Sequence, residues 1–171
     1  MRTASPALLD YINQVRAQPD ASLFMADCYT FTLADGTQLF YTNVDVPVTL
    51  DGNTFVANSL RVDGLKYKCS VGLDVDKQTI TIVAKPTDLI DGVPALAQIQ
   101  RGILDGATVR RDRVFLPSWP QPNQPTPAPI GAILLFLGPV GEVKSVGRTT
   151  AQVEVNSGTV LLDLNMPRNI Y

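Results

Sequence analysis

Apolar and polar side chains alternate along most of this chain, and a period of two predicts β-strands. Tyr29, Phe31 and Leu33 alternate with two threonines, and "KQTITIVAK" (77–85) repeats the pattern. Asp-Gly pairs at 35–36 and 51–52 separate strand-like segments and predict hairpin turns. The pattern therefore predicts a mainly β fold, an antiparallel barrel or sandwich with two short helices.

Two segments carry helical spacing instead. Residues 6–17 follow Ser5, which can cap a helix, and Pro6, which suits its first turn. Leu8, Leu9 and Ile12 belong to one predicted apolar stripe, so we expect this helix to dock on another surface. Residues 94–101 predict a second short helix.

A proline-rich segment interrupts the strand pattern. Residues 117–129 contain six prolines in thirteen positions, which predicts an extended, polyproline-like surface loop that contains Trp119. The following run, residues 133–137, is apolar at every position and predicts a strand buried on both faces.

The helical segment near 94–101 divides the strands into two groups. We therefore predict an N-terminal helical arm (1–20), a first β domain (21–105) and a second β domain (106–171) that carries the proline-rich loop.

Composition narrows the classes of function. The chain has 171 residues, 45% of them hydrophobic and 18% charged, with a net charge of −2. A low charged fraction favours apolar surface that meets partners, and the negative net charge argues against specific nucleic-acid binding. No apolar run approaches the ~18 residues of a membrane span. We expect no membrane span and synthesis in the cytoplasm.

The chain contains no histidine. This excludes Ser-His-Asp and Cys-His catalysis and any metal site that needs histidine. Cys28 and Cys69 are far apart in sequence; buried free thiols are favoured over a disulfide. Asp74 and Asp76 have calcium-loop spacing, but the rest of that motif is missing, which favours an exposed turn. We expect no catalytic residue, cofactor or metal.

Three arginines fall within four positions at 110–113. In a strand, Arg111 and Arg113 share one face, while Arg110 and Asp112 share the other. Charge on both faces predicts an edge strand guarded against pairing, and arginine suits a contact between subunits. The predicted interface residues are Arg110, Arg111, Arg113, Trp119, Leu8 and Ile12.

Several motifs in order resemble one family. They are "FYTNVDVPVTLDGNTFVA", "SVGLDVDKQTITI", "RGILDGATVRRDRVFL", "FLGPVGEVKSV" and "NMPRNIY". Together they are similar to the tail-hub (baseplate hub) family of gene transfer agents and long-tailed phages. Two departures stand out: Val44 precedes Asp45 where many members have histidine, and the chain ends at Tyr171 where many continue into a cysteine-bearing domain.

The resemblance implies a structural, non-enzymatic virion protein of the tail tip. It implies a homo-oligomeric ring, most simply a trimer, that closes the tail tube beneath the distal tail protein. Such a ring links the tube and the tape measure to the fibre-bearing tip.

Two other classes compete with this interpretation. One is a carbohydrate-binding adhesin for the host surface, in which Trp119 and tyrosines stack on sugars. The other is a tail-associated hydrolase, which the absence of histidine and of a paired acid motif disfavours.

Overall fold

An antiparallel sheet of seven strands dominates the computed structural model, which describes residues 4–64, 77–119, 121 and 127–156. The elements in chain order are α1 (Pro6–Ala17), β1 (Phe24–Thr32), β2 (Gln38–Thr42), β3 (Val48–Leu50), β4 (Asn53–Phe55), β5 (Arg61–Asp63), β6 (Lys77–Val83), β7 (Leu89–Ile90), β8 (Val93–Pro94), α2 (Ala95–Gln100), β9 (Thr108–Leu116), β10 (Gly131–Val146) and β11 (Thr150–Asn156). The sheet order is β2-β1-β9-β10-β11-β6-β5, and β3-β4 and β7-β8 form two small hairpins. The predicted mainly antiparallel β class with two short helices is confirmed.

Helix α1 begins and ends where the sequence predicts. The Ser5 hydroxyl accepts a hydrogen bond from the Leu8 amide at 3.3 Å, and proline occupies the first turn. Leu8 is fully buried, and a Cβ built on Gly131 of β10 would lie 3.1 Å from the Leu8 Cβ. The Tyr11 hydroxyl also donates to the Leu116 carbonyl. The predicted stripe is narrower than expected, because Leu9 is 50% exposed.

The predicted Asp-Gly turns connect the expected strands. The turn at 35–36 joins β1 to β2, and the turn at 51–52 joins β3 to β4. Asp51 and Gly52 both have positive φ, 51° and 80°. This is the requirement of a type I′ hairpin turn, which Asp-Gly meets at low cost.

The sixteen-residue strand β10 connects two halves of the sheet. Its first part pairs with β9, from Gly131 opposite Phe115 to Pro139 opposite Thr108. Its second part pairs with β11 as far as Val146. Register shifts interrupt both pairings. Such bulges bend a strand, which suits a strand that passes from one half to the other.

Both halves contribute to one main core. Buried side chains from β1, β9, β11, β6 and β5 form a single cluster with α2, as the alternation in residues 29–33 and 77–85 predicts. The cluster includes Tyr29, Phe31, Val109, Ile80, Ile82, Val153, Val155, Val62 and Ile99. The two halves and α2 thus form a sandwich-like arrangement.

A second, smaller core lies on the other face of β1 and β9. There the β3-β4 hairpin buries Val48, Leu50 and Phe55 against Ala26 and Val114. Both faces of this part of the sheet are therefore covered by protein.

Strand β9 lies inside the sheet, so the predicted edge strand is wrong. It pairs with β1 along Phe24–Thr32 and with β10 along Gly131–Pro139. Charged residues are accommodated at this central position because carboxylates of the same chain pair with them. The prediction of an edge strand assumed that the arginines have no carboxylate partner within their own sheet. Without such a partner, a charged side chain would be stable only at the solvent-exposed edge.

The apolar run at 133–137 is not buried on both faces, which corrects a second expectation. Leu134 is 39% and Leu137 is 54% exposed. Both residues lie on the face of the sheet that carries the second core, which we call the outer face. There Leu134 is opposite Asp112 and Leu137 is opposite Arg110.

The sheet combines strands from the two segments predicted as domains, 21–105 and 106–171. Strands β9, β10 and β11 lie between β1 and β6, so the described parts of these segments share one sheet and one main core. Cys69 and the acidic pair at 74 and 76 lie outside the described residues, as do positions 120 and 122–126 of the proline-rich loop. Pro117, Ser118 and Trp119 are exposed, as predicted.

Candidate assembly interface

The arginine run on β9 divides between the two faces of the sheet as the alternation predicts. On the inner face, Arg113 lies opposite Asp27 and Arg111 lies opposite Tyr29 of β1. On the outer face, Arg110 and Asp112 alternate with them. The run therefore builds two separate ionic sites.

The inner site is centred on Asp27, whose side chain is only 8% exposed. Arg113 donates from Nε to Oδ1 at 2.8 Å and from Nη2 to Oδ2 at 3.1 Å. Arg111 donates from Nη2 to Oδ2 at 2.6 Å. Burial raises the pKa of the Asp27 carboxyl, but hydrogen bonds from Arg113 and Arg111 outweigh it, so the pKa falls below its usual value of 3.8. Asp27 is therefore held as a carboxylate.

Tyr29 forms the floor of the inner site on the side of the main core. The Arg111 guanidinium lies over its ring, 5.7 Å from the ring centre. Burial raises the pKa of Tyr29 to about 12. The tyrosine is therefore a neutral, apolar support for the arginine at physiological pH.

The outer site is a fork between neighbouring side chains of one strand. Arg110 donates from Nε and Nη2 to the two carboxylate oxygens of Asp112 at 2.6 and 3.0 Å. The Asp112 side chain is 3% exposed and that of Arg110 is 49% exposed. Leu134 and Leu137 lie beside this pair. The outer face thus presents the half-exposed Arg110 side chain and two exposed leucines.

One end of the sheet concentrates exposed apolar side chains. Leu9 of α1, Leu23 and Met25 at the start of β1, and Trp119 after β9 are each 37% to 50% exposed. Trp119 packs edge-to-face against Phe24 at 5.8 Å between ring centres. We call Leu9, Leu23, Met25 and Trp119, which lie on elements that meet at this end of the sheet, the apolar end. Exposed apolar surface of this kind is typical of protein contacts.

The six predicted interface residues occupy four places. Arg110 lies on the outer face, whereas Arg111 and Arg113 lie at the inner site. Trp119 and Ile12 lie at or beside the apolar end, with Ile12 partly buried. Leu8 is buried within its own chain. Leu8 can therefore serve a partner contact only by anchoring α1.

Sequence reasoning missed Asp27, which is central to the inner site. The signal was present, because Asp27 is an acid within the strand-like stretch "FMADCYTF". A carboxylate in a strand with a covered face needs a partner, but that partner is 84 and 86 residues away along the chain.

Residues 4–64, 77–119, 121 and 127–156 contain no group of three or more acids and cysteines placed to hold a metal ion. Within the same ranges, no helix is long and apolar enough to cross a membrane.

The exposed apolar side chains of the apolar end suit a protein that contacts others. The family model described as "Baseplate hub protein, N-terminal attachment domain" matches residues 10–171. The chain belongs to this family, which makes it a structural protein of a virion tail.

A solved structure has a similar fold. It is a chain of the "Virion of native gene transfer agent (GTA) particle", with a TM-score of 0.65 and 24% sequence identity. The similarity covers 92% of this chain and 47% of that chain, so our chain spans about half the length of that relative. No curated protein matches the sequence significantly.

Proposed function

We propose that this chain forms part of a tail-tip hub or adaptor that closes the tail tube without enzymatic activity. The proposal rests above all on the family match over residues 10–171. In this role it links the distal tail protein and the tape measure to tip and fibre proteins. The tube end has rotational symmetry, so we propose a homo-oligomeric ring, most simply a trimer.

We propose the apolar end as one contact of this assembly. Leu9, Leu23, Met25 and Trp119 supply apolar area there, and partly buried Ile12 adjoins it on α1. Aromatic side chains with apolar neighbours are typical anchors of protein contacts. Arg110 and Arg113, whose side chains are 49% and 35% exposed, are proposed as further contact residues.

The test compares two charge insertions at exposed leucines. Leu9→Asp alters the apolar end, and Leu89→Asp alters an equally exposed leucine of β7, 56% against 50% exposed. We expect both variants to fold, since exposed substitutions cost about 0.5 kcal/mol or less. Only Leu9→Asp should reduce incorporation of the chain into tails, measured by immunoblotting of purified particles. Wild-type chain absent from the particles would contradict the proposed function.

Light scattering tests the ring. A trimer has three times the mass of the 18.5 kDa chain. A measured mass equal to that of one chain at the highest soluble concentration, combined with absence of the chain from purified tails, would contradict the proposed assembly.

A second candidate is the carbohydrate-binding adhesin. Trp119 lines a surface pocket of about 340 Å³ together with Asn43 and Asp45. An exposed indole beside polar side chains can bind a sugar ring. Binding of host-surface glycans by the wild type, lost in Trp119→Ala, would favour this function.

A further inference from the structure

Three surface pockets meet along the loop at residues 43–46. The first, of about 350 Å³, is lined by Asn43, Arg61 and Lys85 among others. The second, of about 340 Å³, shares Asn43 and Arg61 with the first and extends to Arg111. The third, of about 340 Å³, shares Asn43 with both and extends to Trp119. We call these three pockets, which share Asn43 as a lining residue, the loop trough.

The loop at the centre of the trough is fixed by hydrogen bonds. The Asn43 amide donates to the Asp27 carbonyl at 3.1 Å, and the Asn43 Oδ1 accepts from the Asp27 amide at 3.0 Å. The Asn58 side chain donates to the Asp45 carbonyl at 2.9 Å. A loop held at both ends loses little conformational freedom when a partner binds. The trough is therefore preformed.

Arg61 is the available cation of the trough. It is exposed and lines two of the three pockets. Among the described residues no carboxylate forms an ion pair with it. Asp27 already binds two arginines, and the Asp63 side chain accepts from the Gly64 amide at 2.7 Å. The Arg61 guanidinium thus has donors to offer a ligand.

Beside Asp45 in the first pocket, Lys85 adds a second cation. Its ammonium donates to the Asn58 carbonyl at 3.0 Å, which holds it in place without neutralising it. Apolar surface flanks the two cations: Val83 is 38% exposed, and Val44 is partly buried. A ligand that suits this surface is elongated, bears a carboxylate and presents apolar groups beside it.

We propose that the loop trough binds an extended acidic segment of a neighbouring tail protein, with a carboxylate of that segment bound by Arg61. An arginine fork matches a carboxylate in two parallel hydrogen bonds. An extended segment can reach all three pockets because they share Asn43, and its apolar side chains contact Val44 and Val83. This inference rests on the proposed role in tail assembly.

A protein segment fits the trough better than a glycan does. A sugar site needs aromatic faces, and among the described lining residues Trp119 alone is an exposed aromatic. It lines only the third pocket, away from the two cations. Arg61 and Lys85 favour an anionic ligand, and a neutral sugar has no charge to pair with them.

A peptide titration tests the chemistry of the trough without any other tail protein. The probe is acetyl-TVDVT-amide, and its control is the same peptide with asparagine in place of aspartate. We expect the amide resonances of Asn43 and Arg61 to shift at millimolar peptide. The aspartate peptide should bind about threefold to fivefold more tightly, a difference that Arg61→Gln abolishes. Equal shifts with both peptides, or none, would overturn the proposal.

An assembly experiment tests the role in the tail. Arg61→Glu reverses the charge in the trough, and Arg101→Glu is the matched control at an exposed arginine after α2. We expect Arg61→Glu to lower incorporation into tails at least about tenfold and Arg101→Glu to leave it unchanged. Melting temperatures verify that both variants fold; if Arg61→Glu does not, Arg61→Gln replaces it.

The outcomes separate this proposal from the proposed function. If wild type and Arg61→Glu both enter tails, the trough proposal fails and the hub role stands. If wild type itself does not enter tails, the hub role fails. If neutral oligosaccharides shift the Asn43 resonance and the acidic peptide does not, the trough is a sugar site and the proposal is wrong.

Discussion

Asp27 and Arg113 lie directly opposite each other on β1 and β9, joined by two hydrogen bonds of 2.8 and 3.1 Å. The same carboxylate accepts from Arg111 at 2.6 Å. One buried acid thus neutralises charge in the middle of the sheet. The arrangement connects two strands that are far apart in sequence, and it makes Asp27 the most sensitive charged position of the inner face.

We expect Asp27→Asn to destabilise the protein by about 2–3 kcal/mol. Removal of one partner from a buried ion pair costs ~3–5 kcal/mol, and the 35% exposure of the Arg113 side chain reduces that cost. In a protein of this size the melting temperature should fall by roughly 5–10 °C. Asp20→Asn, at an exposed position, is the control and should leave it unchanged. An unchanged melting temperature for Asp27→Asn would show that the pair contributes nothing to stability.

Asp27 also gives folding stability a dependence on acid. Its pKa in the folded protein lies below the usual 3.8, so its ionisation contributes stability above that value, and the contribution is lost as the pH falls through the folded pKa. The difference in urea midpoint between wild type and Asp27→Asn should be constant from about pH 7 to 5 and shrink below about pH 4. A difference that stays constant in acid would contradict this assignment.

Truncation of two adjacent leucines of α1 should destabilise the protein to very different extents. Leu8 is fully buried and Leu9 is 50% exposed. Leu8→Ala should cost about 2–4 kcal/mol because it leaves a cavity against β10. Leu9→Ala should cost about 0.5 kcal/mol or less. Denaturant titration of both variants measures the difference, and equal losses would mean that α1 packs differently.

Cys28 should resist thiol reagents while the protein is folded. It is a buried free thiol, and burial raises its pKa to about 12. Very little reactive thiolate therefore exists near pH 8. In a Cys69→Ser background, Ellman's reagent should modify no thiol in buffer and one thiol in guanidinium chloride. Rapid modification in buffer would contradict the buried position.

Local features of the fold could be predicted from the sequence because they depend on neighbouring residues. The cap at Ser5, the span of α1 and the Asp51-Gly52 turn are set by side chains within a few positions of each other. The alternation in residues 29–33 likewise identified the buried face of β1.

The order of strands could not be predicted in the same way. Arg111 and Arg113 indicated an edge because their partner Asp27 is 84 and 86 residues away from them along the chain. The run at 133–137 indicated burial on both faces because hydrophobicity alone does not reveal which face another element covers. Leu134 and Leu137 remain exposed because the β3-β4 hairpin packs over β1 and β9 instead.

The placement of β9 between β1 and β10 also bears on how the chain folds during synthesis. Phe24 pairs with Leu116, more than 90 positions later, so β1 leaves the ribosome long before its central partner exists. Pairings of such long sequence separation raise the contact order and slow folding. The nascent N-terminal half must stay soluble with an unpaired strand edge until β9 and β10 emerge. We expect folding to be largely post-translational, with chaperones shielding β1 in the interval.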